Sequence, residues 1–168
     1  MNIRKATIAD YDGVWHIFKA VVKTGDTYVF DPDTPKKDLK IHWFAPYMHT
    51  YVSEEDGNIL GTYIIKPNYT GRGAHIANAS YMVHPDAQGR GIGRGLCVHS
   101  LVQAQNLGFH AMLFNSVVST NTAAVRLWKK FGFRIIGMVP EAFRHQELGL
   151  VAVHIMYKKL ATPLSVPD

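Results

Sequence analysis

Hydrophobic positions along this chain follow two periods, and their switches mark out the elements. Ile3 to Lys5 reads as a short strand, after which Val14, Ile17, Phe18 and Val21 fall at helical spacing. Thr7-Ile-Ala-Asp10 ahead of them fits a capping box, and Gly25 is a stop. Beyond Pro32 and Pro35, Lys37 to Phe44 predicts a second helix. Thr50 to Ser53 and Ile59 to Ile65 predict strands joined by the turn-rich EEDGN, and "KPNYTGRG" then reads as a loop. His75 to Val83 is a longer strand, and a helix from about Gly91 to Leu107 is closed by Gly108. Ala111 to Val117 is a strand; "STN" then opens a helix whose apolar face is Ala124, Leu127, Trp128 and Phe131, closed by Gly132. Phe133 to Val139 and Leu150 to Tyr157 are the last strands. No repeat or linker divides the pattern. The expectation is one α/β (α+β) domain over residues 1–160, with about seven strands and about four helices, and a flexible tail, ATPLSVPD, over 161–168.

Length and composition narrow this picture. A chain of 168 residues with 47% hydrophobic content fits one globular domain with a sizeable core. No apolar run approaches the ~20 residues of a membrane span, and MNIRKATIADYDG turns polar too soon for a secretory signal. With Cys97 as its one cysteine the chain forms no internal disulfide, so a reducing cytoplasm is the expected compartment.

The net charge is +5, but its distribution says more. Ala87 to Pro140 holds no Asp or Glu, while Arg90, Arg94, Arg126, Lys129, Lys130 and Arg134 lie there. Such a stretch suits an anionic partner, with a merely solubilising basic face as the alternative. No helix-turn-helix, zinc-finger spacing or RNA-binding aromatic motif points to nucleic acid.

The basic stretch begins with "VHPDAQGRGIGRGLC", residues 83 to 97, where a strand runs into a glycine-rich turn that opens a helix. The first N–H groups of a helix have no internal partner, and its dipole adds positive potential. Glycines let main chain approach an anion closely, and Arg90 and Arg94 add charge. A tight turn needing only backbone freedom is the alternative. A P-loop requires a lysine that is missing here. A dinucleotide fingerprint requires different glycine spacing and an acidic residue after the next strand, where Asn115 and Ser116 stand.

Gln88-Gly-Arg-Gly91-Ile-Gly93 matches the Q/R-x-x-G-x-G/A signature of the GNAT N-acetyltransferases, and the chain resembles that family over roughly residues 74 to 160. "YMVHPDAQGRGIG" resembles its fourth strand and pyrophosphate loop, and "TNTAAVRLWKKFGFRIIG" its later helix and the strand after it. The resemblance implies a single mixed, mostly antiparallel sheet that splays between strands 4 and 5, with acetyl-CoA as co-substrate. It implies that the main chain of Gln88, Gly89, Arg90, Gly91, Ile92, Gly93 and Arg94 holds the pyrophosphate. Backbone around Tyr81, Met82 and Val83 would pair with the pantetheine arm, and Asn121 would contact CoA while also serving as a helix N-cap.

Many relatives place a proton-donating tyrosine where this chain has Trp128, whose indole is no practical acid. No general acid is therefore carried over. "HIANASYMV" and "LFNSVVSTNTAAVRLWKKFGF" are similar to fungal acetyltransferases acting on proline analogues such as azetidine-2-carboxylate. That likeness implies that Asn78 and Asn115 face the acceptor amine, its carboxylate or the developing oxyanion, as catalytic and substrate-binding residues. Independently, both asparagines sit mid-strand among apolar neighbours, and a buried amide needs a partner.

Tyr28 and Phe30, with Trp43, Phe44 and Phe143 as further candidates, are expected at the acceptor wall. His84, His75, Glu54, Asp31 and Glu141 are each a possible base. The nine histidines show no metal spacing, and Cys97 sits within a helix, so neither a metal nor a cysteine nucleophile is expected. The sequence thus predicts N-acetylation of a small amine, with a proline analogue or amino acid foremost. The alternatives are an antibiotic, a phosphinothricin-like compound or a peptide N-terminus as acceptor, or a non-catalytic acyl-CoA sensor. The resemblance also implies a homodimer through the C-terminal strands, for which the apolar LVAVHIMY offers support.

Overall fold

The computed structural model describes residues 1–160, so the expected tail at 161–168 lies outside the described residues. Seven strands form one open sheet in the order β1-β2-β3-β4-β5-β7-β6. They are β1 (Asn2–Lys5), β2 (His49–Glu55), β3 (Asn58–Pro67), β4 (Ile76–Val83), β5 (Ala111–Val118), β6 (Arg134–His145) and β7 (Gly149–Lys159). Four helices accompany them: α1 (Tyr11–Lys23), α2 (Leu39–His42), α3 (Ile92–Asn106) and α4 (Thr122–Lys130). Every neighbouring pair is antiparallel except β4 and β5, which run parallel.

The two sides of the sheet follow from strand alternation. Val52, Ile64 and Met82 pack beneath α1 and α2 against Val14, Ile17, Phe18, Leu39 and Trp43. Tyr51, Tyr63, Ile65, Ala77 and Ala79 face the other way, onto Ile92, Leu96 and Cys97 of α3 and Trp128 of α4. Rings run across this second face as a ladder. Tyr51 stacks on Tyr63 at 4.8 Å, Tyr63 on Tyr81 at 5.7 Å, Tyr81 meets Phe114 edge-on at 5.9 Å, and Phe114 stacks on Phe133 at 4.3 Å. At the β1 edge the Arg4 guanidinium binds both carboxylate oxygens of Asp10 at 2.8 Å and reaches Glu54 through Nε at 2.8 Å. Arg4 holds the Asp10 carboxyl down at about 2.

β4 and β5 pair only through Ile76–Asn78 against Ala111–Leu113, and then diverge. The expected splay is present. Two expectations from the sequence need correction. β6 does not end near Val139 but continues to His145, passing Pro140 and Glu141 by a register shift between Val139 and Phe143. Glu141, at φ 54, absorbs the bulge. Phe143 is consequently a strand residue buried against Val118 and Val153 and not part of an acceptor wall.

Candidate active site

The divergence of β4 and β5 opens the sheet where two cavities meet. The His84 N–H donates to the Leu60 carbonyl at 2.9 Å, so alternation turns the main-chain N–H and C=O of Tyr81 and Val83 toward the gap. The larger cavity, about 710 Å³, runs from Tyr81 and Val83 along Gln88, Gly89, Gly91 and Gly93 to the start of α4.

Gly91 is the N-cap of α3 at φ 78, and Gly89 lies at φ 77. Both sit in the left-handed region that favours glycine. A Cβ built on either would meet no atom within 4 Å, so the loop presents bare, open backbone to a ligand. The unpaired N–H groups opening α3 are aimed there. Of the two loop arginines, Arg94 is exposed and Arg90 pairs with Glu55 across the rim. Ile92 is buried but lines the cavity, whereas Met82 does not: its side chain packs beneath α1 and its main chain pairs with Thr62 of β3, so the expectation that Met82 meets the pantetheine arm needs correction. Asn121 caps α4, its Oδ1 accepting from the Ala124 N–H at 3.1 Å, and its Nδ2 donates to Thr27 Oγ1 at 3.2 Å.

The smaller cavity, about 240 Å³, lies beyond the splay and shares Thr27, Tyr81, Asn121, Ala124 and Trp128 with the larger one. Tyr28, Phe30, Asn78 and Asn115 all line it, so the structure brings these four sequence candidates together. Trp43 and Phe44 are not with them. Trp43 is fully buried and its indole N–H donates to Thr62 at 2.9 Å, and Phe44 packs on Tyr11.

The asparagines find partners. Asn78 is buried and its Nδ2 donates at 2.9 Å to the carbonyl of Leu113, the last β5 residue paired with β4. Asn115 is exposed to the cavity at a β-bulge, where the register against β7 shifts between Phe114 and Val117. Its Nδ2 donates to Asn68 Oδ1 at 2.7 Å. Sequence reading missed Asn68, Ser80 and Ser116. The only signal for Asn68 was an amide in a segment read as a loop.

Among the described residues no Asp, Glu, His, Lys, Arg or Cys lines the smaller cavity. The five candidate bases lie elsewhere. Glu54 is bound by Arg4, His84 accepts from the Asp86 N–H, and Asp31 accepts from the Asp33 N–H. Glu141 is exposed on β6, and His75 meets His110 edge-on. Cys97 is buried, which pushes its thiol up to about 12. Trp128 is buried between Tyr81 at 4.7 Å and Phe114 at 5.0 Å, and forms part of both cavity walls. The Tyr81 hydroxyl is turned away to Ser100 at 2.7 Å, and burial raises its pKa.

This geometry has close counterparts. The chain is 38% identical to N-acetyltransferase aca1 of Schizosaccharomyces pombe over 100 residues, 60% of this chain and 48% of that one, so it spans about half of that relative's length. It is 32% identical to L-amino acid N-acyltransferase MnaT of Escherichia coli over 147 residues, 84% of each. The solved structure of a GCN5-related N-acetyltransferase from Kribbella flavida superposes with a TM-score of 0.90 at 42% identity, covering 95% of this chain and 97% of that one. The family model for the acetyltransferase (GNAT) family matches residues 15–133. The splayed sheet, the glycine loop and these matches agree: the chain belongs to the acetyltransferase (GNAT) family.

Proposed function

We propose that this chain transfers the acetyl group of acetyl-CoA to the amine of a small, amino-acid-like molecule. One observation carries the reading: an open glycine-loop cleft of about 710 Å³ meets an uncharged, asparagine-lined cavity of about 240 Å³ across Tyr81 and Trp128. The cleft suits the pyrophosphate and pantetheine of CoA, with bare main chain at Gly89 and Gly91 and free strand groups at Val83. The smaller cavity falls below the roughly 300–1,000 Å³ of drug-sized sites, which favours a small acceptor over a peptide. MnaT, named for acylating L-amino acids, supports an amino-acid acceptor. The fungal likeness and the three asparagines 78, 115 and 121 put a cyclic proline analogue first on the panel.

In this reading the neutral amine attacks the thioester carbonyl carbon, the carbonyl electrons move to oxygen, and collapse breaks the C–S bond. The amine proton is lost to water and the sulfur leaves as thiolate, later taking a proton to become free CoA. Deprotonating an alkyl amine of pKa ~10.4 at neutral pH costs about 4 kcal/mol, which no side chain in the cavity offsets by general-base catalysis. Holding amine and thioester together at the junction is the enzyme's main contribution.

A homodimer through the C-terminal strands belongs to the same reading. Its support is the edge strand β6, where Ile136, Met138 and Val139 are exposed, with Leu148 and Leu150 also exposed at the turn end of the β6–β7 hairpin. A reducing cytoplasm as compartment rests on the single cysteine, Cys97, being buried and free.

The test is release of free thiol from acetyl-CoA against azetidine-2-carboxylate, hydroxyprolines, common amino acids, phosphinothricin, polyamines and short peptides. Turnover on a cyclic secondary amine, lost in Asn115→Ala, supports the proline-analogue acceptor. Turnover on primary amines alone keeps the enzyme and discards that acceptor. Tight CoA binding with no turnover would leave an acyl-CoA sensor as the better reading.

A further inference from the structure

We infer that Asn68 is a positioning residue for acetyl transfer: it holds Asn115 with the carboxamide oxygen toward the acceptor, so that Asn115 and Asn78 offer acceptor oxygens to the attacking amine, taking both hydrogens of a primary amine or sharing the one N–H of a secondary amine. The inference rests on the acetyl-transfer reading above and assigns the asparagines a part in it.

For Asn78 the chemistry fixes the orientation. Its partner is the Leu113 main-chain carbonyl, which can only accept, so Asn78 must spend Nδ2 there and keep Oδ1 as its other polar atom. Asn115 follows the same pattern through a side chain. Its Nδ2 donates to Asn68 Oδ1 at 2.7 Å, across 47 residues of sequence. Asn68 is itself anchored, its N–H donating to the Ile76 carbonyl at 2.8 Å at the head of β4. The remaining Asn68 donor, Nδ2, is buried without a hydrogen-bond partner. A buried amide N–H left without a partner is unfavourable. In this orientation Oδ1 is the Asn68 side-chain atom that is engaged, and it is engaged by Asn115.

Two carboxamide oxygens at the rim of an uncharged cavity form an acceptor pair. An attacking nitrogen gains positive charge as the N–C bond forms, and its hydrogens become stronger donors. Bonds to Asn78 and Asn115 therefore strengthen toward the transition state, which raises kcat and not only affinity. In the opposite orientation Asn115 would be a donor, suited to an oxyanion. With Oδ1 presented, as the structure has it, Asn68 selects the first; aspartate at this position can present nothing else.

The test compares Asn68→Leu with Asn68→Asp. Aspartate is acceptor-only and locks Asn115 Nδ2 toward it, and leucine removes the acceptor at similar volume. With acetyl-CoA and azetidine-2-carboxylate or the panel's best amine, Asn68→Leu is expected to lower amine kcat/KM about ten- to a hundredfold. KM for acetyl-CoA and the melting temperature should stay put, and Asn68→Asp should remain within about threefold of the parent. In an Asn115→Ala background, Asn68→Leu should have no further effect. Side-chain amide NMR of the free protein should show a slowly exchanging Asn115 Nδ2 proton, kept in Asn68→Asp and lost in Asn68→Leu. Equal damage from Asp and Leu, or additive losses with Asn115→Ala, would overturn the inference and leave acetyl transfer standing. No turnover by the parent chain on any amine would overturn the acetyl-transfer reading, and with it the asparagines' part.

Discussion

The Tyr28 hydroxyl holds both main-chain groups of Tyr81 at once, accepting from its N–H at 2.9 Å and donating to its carbonyl at 2.7 Å. Those groups face the gap between β4 and β5, where the pantetheine arm is expected to add as a strand. A phenol reaching from the loop after α1 thus stands in for a missing neighbour strand, and acetyl-CoA must displace it to pair with Tyr81. Burial raises the Tyr28 pKa, which keeps the hydroxyl neutral and able to donate. Tyr28→Phe removes the competitor and should tighten acetyl-CoA binding about fivefold by titration calorimetry, the equivalent of about 1 kcal/mol. Weaker binding would show instead that the hydroxyl supports the donor.

The uncharged acceptor cavity sets the pH dependence. With no titrating side chain to take the proton, the reactive species is the acceptor's own free-base form. The amine kcat/KM should rise about tenfold per pH unit through neutrality and level off near the amine's own pKa. Steady-state rates from pH 6 to 10 check this, and a break between pH 6 and 7 would point to a histidine.

Gly91 is a position where one methyl group should matter. At φ 78 an L-residue costs about 1–2 kcal/mol, and the added Cβ would project into the donor cleft. Gly91→Ala is expected to lower the melting temperature by several degrees and weaken acetyl-CoA at least about tenfold. Calorimetry and equilibrium binding separate the two effects.

Acid stability should report the Arg4–Asp10 pair. A carboxyl held at about 2 in the folded chain stabilises fully above its unfolded value near 4, and that contribution is lost as pH falls between the two. Asp10→Asn should cost about 2 kcal/mol at pH 7 and nearly nothing at pH 2. Urea melts at the two pH values measure the difference.

The exposed apolar row on β6 makes the oligomer testable. Met138→Asp should convert a dimer to a monomer in light scattering, while the far-ultraviolet circular dichroism stays unchanged. A parent chain that is monomeric at tens of micromolar would remove the dimer from the proposal.

Much of this was legible in the sequence because it is local. Glycines after Gln88 mark a strand-to-helix turn whatever surrounds them, and the 3.6-residue spacing of Leu127, Trp128 and Phe131 belongs to one helix. What escaped depends on residues far apart in the chain. The Tyr28–Tyr81 tie spans 53 residues and the Asn68–Asn115 bond 47, distances at which periodicity carries no information. Phe143 misled for a different reason. Pro140 and Glu141 carry turn chemistry, and only pairing with β7 shows that the strand bulges there and continues. The base candidates failed because a carboxylate or imidazole in sequence says nothing about which cation or amide will claim it.

The ladder of rings has a mechanical consequence. Main-chain pairing across the middle of the sheet stops after three residue pairs, yet Tyr81 and Phe114 go on touching underneath. The two half-sheets are therefore joined by hydrogen bonds at one end and by an edge-on ring contact beyond it. The same two residues line the smaller cavity, so the contact that spans the split also forms part of the acceptor site's wall.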